Sequence, residues 1–363
     1  MSGSYGNAVR LTIFGESHGP AIGAVLDGLP PGLLLDEAFI RREMTRRAPG
    51  RSVLATPRKE MDIPVIQSGV YEGRTTGTPL CAAIPNGNTR SADYEEMKTR
   101  MRPGHGDYTG YIRYRGFQDP RGGGHFSGRL TAPLVFAGAI AKLWLKEQGV
   151  EVWGHIRQIG QAADRAFVST GEVREILEGL AAAEIPVLEP GADEAMREEI
   201  LLAKKEKDSV GGAVEIMVTG LPPGLGSPFF DSVESRLSHM LFSVPAVKGV
   251  AFGSGFALAA MRGSEANDGF YMCGDKVRTK TNHNGGILGG ITTGMPLVFQ
   301  AAVKPTPSIG KPQATIDICR KTDTVLTAEG RHDPCIVPRA VPVLEAAAAW
   351  VIFDMMMEQG WGR

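Results

Sequence analysis

The hexapeptide Gly28-Leu-Pro-Pro-Gly-Leu33 occurs a second time in the chain, as Gly220-Leu-Pro-Pro-Gly-Leu225. Each copy follows a run typical of a β-strand and precedes a segment with helical periodicity, 36–47 in the first copy and 231–241 in the second. Pro-Pro-Gly alone is turn chemistry that unrelated loops share. The repeat therefore indicates an internal duplication only if other segments recur in the same order.

Two further pairs of segments do recur in that order. Residues 69–80 match residues 286–297 at seven of twelve positions. An Asp-Pro pair, an arginine and an alanine-rich helix then follow in each half, as Asp119-Pro120 with Arg129 and as Asp333-Pro334 with Arg339. We predict one domain over 1–363, built from two related α/β modules, about 1–150 and 205–363, with a connecting segment, 151–205. Two sheets packed on shared helices fit the irregular crossovers better than one doubly wound sheet.

The overall composition is that of an ordinary globular protein. Of the 363 residues, 42% are hydrophobic and 22% are charged, which excludes a disordered or fibrous chain. The 39 basic and 40 acidic residues nearly balance, so no bulk charge points to nucleic acid or to an anionic membrane. The most apolar stretch, 132–141, is too short to span a bilayer. We expect no nucleic-acid partner and no membrane partner.

The cysteines and histidines show no metal-binding pattern. The four cysteines form no C-x-x-C pair, and the sequence contains no His-Glu-x-x-His. We therefore expect neither a disulfide framework nor a metal site. The first residues show no basic-then-apolar signal pattern, so the expected location is the cytoplasm.

Glycine is abundant: 47 of the 363 residues are glycine, well above the usual share of about 7%. The cluster Arg121-Gly-Gly-Gly-His-Phe-Ser-Gly-Arg129 directly precedes an apolar helix over 130–145. Glycines let the backbone approach a ligand closely, and a helix start presents free N–H groups. The cluster is equally consistent with an anion or cofactor cradle and with a flexible surface loop.

Arginine is concentrated in the first module. Residues 1–129 contain 15 Arg, two Lys and 13 acidic residues, and six of the arginines fall between Arg41 and Arg58. Arginine is suited to two-pronged binding of carboxylates or phosphates. A solvated helix face, with Arg47 paired to Glu43, is the simpler alternative. The run continues into a turn, Ala-Pro-Gly-Arg51, where ligand contacts often gather.

Three histidines, His18, His105 and His125, each have a glycine within two residues in predicted loops. Because imidazole titrates near pH ~6.5, a loop histidine in an arginine-rich pocket can donate a proton to a leaving anion at neutral pH. A different chemistry is suggested by Gly15-Glu-Ser-His-Gly19, which matches the G-x-S-x-G nucleophile elbow of serine hydrolases, with Ser17 as nucleophile. A β-like run follows this motif, whereas an elbow is followed by a helix.

The ordered set of these clusters closely resembles the chorismate synthase family, nearly from end to end. The stretches that carry the resemblance are Phe14-Gly-Glu-Ser-His-Gly19, Asp27-Gly-Leu-Pro-Pro-Gly32, Arg46-Arg-Ala-Pro-Gly50, Arg58-Lys-Glu60, Arg102-Pro-Gly-His105, Arg121-Gly-Gly-Gly124, Lys248-Gly249, Asn282 with the paired glycines at 285–286 and 289–290, Lys304-Pro-Thr306 and Arg331-His-Asp-Pro-Cys335. Each motif alone is weak, and their order makes the set specific.

The resemblance implies a fold and a reaction. The fold would be α/β (α+β), an internally duplicated β-α-β sandwich with two antiparallel sheets around central helices, assembled as a homotetramer. The reaction would be the anti-1,4-elimination of phosphate from 5-enolpyruvylshikimate 3-phosphate, which gives chorismate in the shikimate pathway. It would require reduced FMN (FMNH2), with NADPH as a candidate reductant. No G-x-G-x-x-G after a strand is evident, which favours reduction by an external system.

The resemblance also implies roles for individual residues. His18 would protonate the departing phosphate, His105 would lie beside the flavin, and Asp333 would assist removal of the substrate hydrogen. Ser17 and Ser127 would orient these groups. The flavin contacts would be His125, Phe126, Ser127, Ala246, Gly289, Lys304, Pro305, Thr306, Pro307, Ser308 and Arg331. The substrate anions would meet Arg46, Arg47, Arg58, Arg102 and Arg129.

The chain departs from the family at a few positions. The family usually has Arg-Ser-Ser-Ala-Arg after the three glycines, whereas this chain has His125-Phe-Ser-Gly-Arg129. That change removes a cation and a hydroxyl, and Phe126 could pack on a ring instead. Pro245 stands where Asn is usual, and Pro307 stands where Ser is usual. A non-catalytic flavin-binding or anion-binding module remains the alternative to an active enzyme.

Overall fold

The fold contains two five-stranded antiparallel sheets, one in each half of the chain. A computed structural model of the chain describes residues 3–50, 54, 60–87, 98–327 and 333–361. The first half contains β1 (Ser4–Tyr5), β2 (Arg10–Gly15), β3 (Ala21–Asp27), α1 (Glu37–Arg47), β4 (Val65–Ser68), β5 (Val70–Tyr71), β6 (Arg74–Thr75), β7 (Leu80–Pro85), α2 (Asp107–Tyr114) and α3 (Thr131–Glu147).

The second half begins at the strand after α3. It contains β8 (Glu151–Ile159), β9 (Ala162–Ala163), α4 (Arg174–Leu180), α5 (Ala192–Lys205), β10 (Gly212–Thr219), α6 (Val233–Ser243), β11 (Val247–Phe252), α7 (Gly263–Ala266), β12 (Phe270–Cys273), β13 (Lys276–Thr279), β14 (Ile287–Leu288), β15 (Ile291–Thr292), β16 (Leu297–Val303), β17 (Gln313–Asp317), β18 (Thr322–Leu326) and α8 (Val337–Glu358). Short 3₁₀ helices lie at Arg121–Phe126, Gly128–Leu130 and Gly255–Ala260.

The two sheets repeat one strand order. The first sheet has the strand order β1-β2-β3-β7-β4. The second sheet, written in the matching direction, has the order β9-β8-β10-β16-β11. Every neighbouring pair of strands is antiparallel. The order β2-β3-β7-β4 of the first sheet thus corresponds to β8-β10-β16-β11 of the second. The predicted fold class, α/β with antiparallel sheets, is confirmed.

The two repeated hexapeptides are held by the same pair of hydrogen bonds to a threonine hydroxyl. In the first half, the Thr75 hydroxyl donates to the Pro30 carbonyl (2.6 Å) and accepts from the Leu33 amide (3.0 Å). In the second half, the Thr292 hydroxyl donates to the Pro222 carbonyl (2.7 Å) and accepts from the Leu225 amide (2.9 Å). The two threonines occupy the same place in the repeated stretches 69–80 and 286–297. Each buried hydroxyl therefore fixes a Pro-Pro-Gly turn that leads into a helix.

The predicted boundary between the modules needs correction. Strand β8, which lies within the predicted connecting segment 151–205, pairs along its length with β10 at the centre of the second sheet. The second module therefore begins near Glu151 and not near 205. Only the remainder of that segment, with helices α4 and α5, is an insertion relative to the first half. The β8 sequence carries no repeat signal of its own, so the sequence did not reveal the match.

Helices α3 and α8 pack on each other between the sheets. Helix α3 lies on β2 and β3, and α8 lies on β8 and β10. Gly138 of α3 meets Ala346 of α8 so closely that a Cβ atom on Gly138 would lie 2.8 Å from the Ala346 carbonyl oxygen. Helix α8 has the length and hydropathy of a membrane span, longer than the predicted apolar stretch 132–141, but 89% of that span is buried inside the protein. Small residues at the crossing let the two helices form the core.

Candidate active site

The glycines Gly122–Gly124, called the glycine run below, lie at the centre of the candidate site. All three have positive φ, at 60°, 88° and 53°, a region that side-chain-bearing residues rarely adopt. A Cβ atom on Gly122 would collide with the His18 imidazole and would lie 2.8 Å from Ser17 Oγ. A Cβ atom on Gly123 would lie 3.0 Å from Cε1 and Nε2 of His105. The glycine run therefore packs against both His18 and His105, an arrangement that favours the cradle alternative over a free surface loop.

Ser17 and His18 lie in the tight turn between β2 and β3. Both are buried, at 0% and 7% exposure, and Ser17 Oγ lies 3.2 Å from Nδ1 of His18. The Ser17 amide donates to the Gly124 carbonyl (3.1 Å), which ties the turn to the glycine run. Strand β3, not a helix, follows Ser17. The strand–turn–helix geometry of a nucleophile elbow is absent at this motif, so the structure does not support the hydrolase alternative.

His105 is oriented by a carboxylate from the first turn of α2. Its Nδ1 lies 2.6 Å from Asp107 Oδ1, and Arg102 donates to the same carboxylate from Nε (2.7 Å) and Nη2 (2.8 Å). Burial alone would raise the pKa of Asp107, but the hydrogen bonds from Arg102 and His105 lower it well below its usual range. An ionised Asp107 accepts the Nδ1 proton of His105, so the Nε2 edge is the one facing the glycine run.

Two of the predicted substrate arginines, Arg47 and Arg129, share one buried carboxylate. Arg47 Nη1 donates to Asp62 Oδ2 at 2.5 Å, and Arg129 Nη1 pairs with Asp62 Oδ1 and with Glu60 Oε2 (3.0 Å). Burial would raise the pKa of Asp62, but the two guanidinium groups outweigh it and lower the pKa. Arg129 Nε donates to Asn86 Oδ1 (3.1 Å). These contacts fix the arginines in place before any ligand binds.

Some donors on Arg129 and Arg102 have no acceptor among the described residues. Within the described part of the chain, no hydrogen-bond acceptor faces Nη2 of Arg129 or Nη1 of Arg102. Arg47, in contrast, uses all three side-chain nitrogens, on Thr131 Oγ1 (3.1 Å), Asp62 and the Gly128 carbonyl (3.1 Å). Arg129 and Arg102 are therefore better placed than Arg47 to offer N–H groups directly.

Arg46 is bound by carboxylates of α1 and α8. Its guanidinium binds Glu345 through Nη1 (2.6 Å) and Nη2 (2.8 Å) and also contacts Glu43, while Lys142 binds both carboxylates at 2.5 Å. Burial would raise the pKa of Glu43, but Lys142 and Arg46 lower it to about 2. The alternative pairing of Glu43 with Arg47 is therefore wrong, because Glu43 pairs with Arg46 and Lys142 while Arg47 pairs with Asp62. Arg58, a further predicted substrate residue, lies outside the described residues.

The second module contributes Lys304 and the residues that follow it. The Lys304 ammonium donates to the Gly104 carbonyl, next to His105, and the Lys304 amide donates to the Ala246 carbonyl (2.9 Å). Ala246 has a φ of 74°, in the left-handed region that residues with a side chain rarely adopt. Pro305, Thr306, Pro307 and Ser308 continue from Lys304 along the same edge. Lys304 and Ala246 therefore join the His105 loop, whereas Arg331 lies outside the described residues.

Asp333 reaches this edge from the segment before α8. Its carbonyl accepts from Thr306 Oγ1 (2.9 Å), and its carboxylate is bound by Arg339 Nη2. Nε of Arg339 is buried and has no hydrogen-bond partner among the described residues. Asp333 thus contacts the Lys304–Ser308 segment directly through Thr306. Arg339 adds its Nε–H group, a donor without a partner among the described residues.

The predicted flavin contacts at 125–127 lie at the margin of the candidate site. His125 Nδ1 lies 2.9 Å from the Gly15 carbonyl, and Ser127 Oγ accepts from the Arg129 amide (3.3 Å). Phe126 packs on α2, since a Cβ atom on Gly110 would lie 2.6 Å from Phe126 Cε2. The Phe126 ring also lies against Tyr114, with 6.0 Å between the ring centroids.

Gly289 is not brought to the cluster within this chain. Its neighbour Gly290 accepts from the Val233 amide (3.0 Å) at the start of α6, whereas Ala246 follows the end of that helix. Eleven helical residues span roughly 16 Å at 1.5 Å per residue. Gly289 therefore lies at the opposite end of α6 from Ala246 and Lys304.

Four residues of the site were not singled out from the sequence. Asp107 lies two residues beyond the motif Arg102-Pro-Gly-His105, and Asn86 follows a strand end next to a glycine, which is a turn signal. The Asn86 amide donates to the carbonyls of Glu16 (3.0 Å) and Gly19 (2.9 Å), so it holds the His18 turn. Asp62 carries no local sequence signal, because its partners are distant in the chain, and Arg339 was noted only as part of the repeat.

Comparisons with known proteins agree with this geometry. The family model described as "Chorismate synthase" matches residues 9–357. The chain is 49% identical over 361 residues to the chorismate synthase of Methanocella arvoryzae, covering 99% of this chain and 96% of the relative. It is 48% identical over 355 residues to that of Thermococcus kodakarensis, covering 98% and 97%. A solved structure titled "Crystal Structure of Chorismate Synthase" superposes with a TM-score of 0.77 at 29% identity, covering 99% of this chain and 94% of that one.

The α/β fold and the family match together indicate an enzyme that acts on a small molecule. The match over nearly the whole chain then identifies the group to which it belongs: the chain is a member of the chorismate synthase family.

Proposed function

We propose that the protein catalyses the anti-1,4-elimination of phosphate from 5-enolpyruvylshikimate 3-phosphate to form chorismate in the shikimate pathway, with reduced FMN bound beside the substrate. This is the chemistry of a carbon–oxygen lyase that acts on a phosphate ester. The observation that carries the proposal is the convergence of two imidazoles on one glycine run, with buried arginines around them.

The substrate would be held by its charges. It carries two carboxylates and a phosphate, and the site offers Arg129, Arg102 and the Lys304 ammonium around the glycine run. Charge-assisted hydrogen bonds from guanidinium groups are stronger than neutral ones and orient a planar anion. Arg47 would act here by fixing Asp62 and the start of α3, while Nη2 of Arg129, which has no acceptor in the described part of the chain, would meet the anion.

His18 is the proposed acid for the departing phosphate. It is buried next to Ser17, and Asp119 is close enough to interact with it electrostatically. The Arg121 hydrogen bond lowers the pKa of Asp119, so a carboxylate charge is present there to favour a protonated imidazole. Protonation of a leaving anion by a positioned histidine contributes typically ~10²–10⁴-fold to the rate. Ser17 would orient the ring, and Ser127 would hold the backbone before Arg129.

The described residues fit a reduced flavin. An anionic ring needs nearby cations and N–H donors, and the site provides Lys304, His105 and the buried Nε of Arg339, which has no partner among the described residues. His105, Ala246, Lys304 and Thr306 form one edge that would hold FMN, with His125 to Ser127 at its margin. Bound reduced FMN supplies electron density that promotes loss of the allylic phosphate without net oxidation. Asp333 would lie beside this edge and take part in removal of the substrate hydrogen.

The remaining proposals concern reductant, assembly and location. NADPH is the candidate reductant if the protein reduces its own flavin. Reduction of the flavin by an external system is the favoured alternative. We propose a homotetramer in the cytoplasm, without a nucleic-acid or membrane partner. Large exposed side chains on the second module, including Phe229, Phe230 and Phe256, each at least 90% exposed, support assembly with further copies.

An anaerobic assay tests the proposed reaction. The purified protein is mixed with 5-enolpyruvylshikimate 3-phosphate and photoreduced FMN, and chorismate is followed by its absorbance. Parallel samples contain oxidised FMN, no FMN, or oxidised FMN with NADPH. Chorismate with photoreduced FMN supports the proposal, and its formation with NADPH would show that the protein reduces its own flavin. No chorismate in any sample, although FMN binds, would favour a non-catalytic flavin-binding module.

A further inference from the structure

Arg339 holds Asp333 from the first turn of α8. Its Nη2 donates to Asp333 Oδ2, and the two side chains are only 21% and 12% exposed. The Asp333 carbonyl accepts at the same time from Thr306 Oγ1 (2.9 Å). The backbone and the carboxylate of Asp333 are therefore both fixed, each by a residue of the second module.

Arg339 is also the repeat counterpart of Arg129. Arg129 precedes α3 by two residues, and Arg339 lies at the start of α8, in the third of the repeated segments. Burial lowers the pKa of Arg339, and its charge interacts with Asp62, Glu60 and Arg47, the same groups that surround Arg129. The two repeat-related arginines thus approach one shared cluster from the two halves of the chain.

We propose that Arg339 is a positioning residue for the reaction, which acts by holding the Asp333 carboxylate beside the flavin-binding edge. The inference rests on the proposed function. A guanidinium group restricts a carboxylate to few orientations, whereas a free aspartate samples several rotamers. Arg339 contributes through the placement of Asp333, so its removal has little further effect once the carboxylate is gone.

A double-mutant cycle tests this mode of action. We expect Arg339→Gln to lower kcat by at least about 30-fold, somewhat less than the ~10²–10⁴-fold that a positioned acid or base itself contributes. Arg339→Lys, which keeps the charge, should recover part of that loss. The double variant D333N/R339Q should be slower than D333N alone by less than about twofold, because coupled residues are not additive. Arg174→Gln, which removes an exposed pair with Glu151, serves as the matched control and should leave kcat unchanged.

A second readout does not depend on turnover. Binding of oxidised FMN gives a visible difference spectrum, and we expect R339Q and D333N to alter it in the same way, while R174Q leaves it unchanged. Added guanidinium ion should restore part of the kcat of Arg339→Ala but not that of D333N. The inference is overturned if R339Q keeps kcat within about threefold of the wild type, or if the effects of D333N and R339Q multiply. An inactive wild type would instead refute the proposed function.

Discussion

Gly122 lies directly against the imidazole of His18, with no room for a Cβ atom between them. This contact couples the glycine run to the proposed proton donor. Since the φ of Gly122 is 60°, the backbone there is also in the region that glycine adopts without strain. Packing and backbone conformation together require glycine at this position.

Gly122→Ala should therefore displace His18 and impair turnover. We expect kcat to fall about 100-fold, because a shift of about 1 Å in a catalytic group has effects of that size. Gly128→Ala is the matched control, since a Cβ atom at Gly128 meets nothing within 4 Å. Steady-state kinetics of the two variants with reduced FMN give the comparison. Equal activity of both variants would mean that His18 does not need its observed position.

Arg47→Ala should weaken substrate binding without weakening flavin binding. The substitution removes one of the two arginines that pair directly with Asp62, so that Arg129 is drawn further toward the carboxylate and away from an anion. We expect KM to rise roughly tenfold, about 1.4 kcal/mol, with the Kd of oxidised FMN within twofold of the wild type. Arg42→Ala on the exposed side of α1 is the control. A large loss of FMN affinity in the Arg47 variant would contradict this division of roles.

His155 predicts a pH-dependent contribution to stability outside the active site. Its ring is buried between Asp164 (3.0 Å) and Glu215 (2.9 Å), next to the small core of Phe167 and Leu188. Burial alone would lower the pKa of His155, but the two carboxylates raise it above 6.5. A raised pKa means that the contribution is complete below pH 6.5 and is lost as the pH rises through the folded-state value.

His155→Gln should therefore cost about 3 kcal/mol of unfolding free energy at pH 6, as expected for a broken buried ion pair. The difference from the wild type should shrink as the pH is raised from 6 toward 10. Urea unfolding at several pH values measures it, with the exposed His239→Gln as control. A constant difference across this range would show that His155 is not charged in the folded protein.

The crossing of α3 and α8 should tolerate no side chain at Gly138. A Cβ atom there would collide with Ala346, so Gly138→Ala should destabilise the fold by about 3 kcal/mol. Gly179→Ala, in α4 with open space around it, should instead stabilise the protein by ~0.5–1 kcal/mol. Thermal unfolding of the two variants gives opposite shifts in Tm. A similar loss in both would indicate that helix packing at Gly138 is not the cause.

The duplication could be predicted from the sequence because local turn chemistry repeats where the fold repeats. Thr75 and Thr292 stand at the same place in matching stretches, and both bind a Pro-Pro-Gly turn. The place of β8 in the second sheet could not be predicted, since strand pairing is long-range and β8 has no matching motif. The histidines near glycines were found for the same local reason.

The carboxylate partners of the arginines in the site could not be predicted from the sequence. Asp62 meets Arg47 and Arg129 only after residues 67 positions apart have come together. The choice between Arg46 and Arg47 as the partner of Glu43 depends on about 100° of helix rotation, which the pattern of charges alone did not resolve. Distance in the chain and helix phase, rather than residue type, set the limit of prediction.

The central claim is that His18, His105 and the glycine run form a site that expels phosphate without net oxidation of the flavin. A single-turnover experiment under anaerobic conditions tests it most directly, with the protein in excess over 5-enolpyruvylshikimate 3-phosphate and saturated with reduced FMN. We predict equal amounts of chorismate and inorganic phosphate, with the flavin fully reduced at the end. Phosphate release without chorismate, or flavin oxidised in proportion to product, would contradict the account.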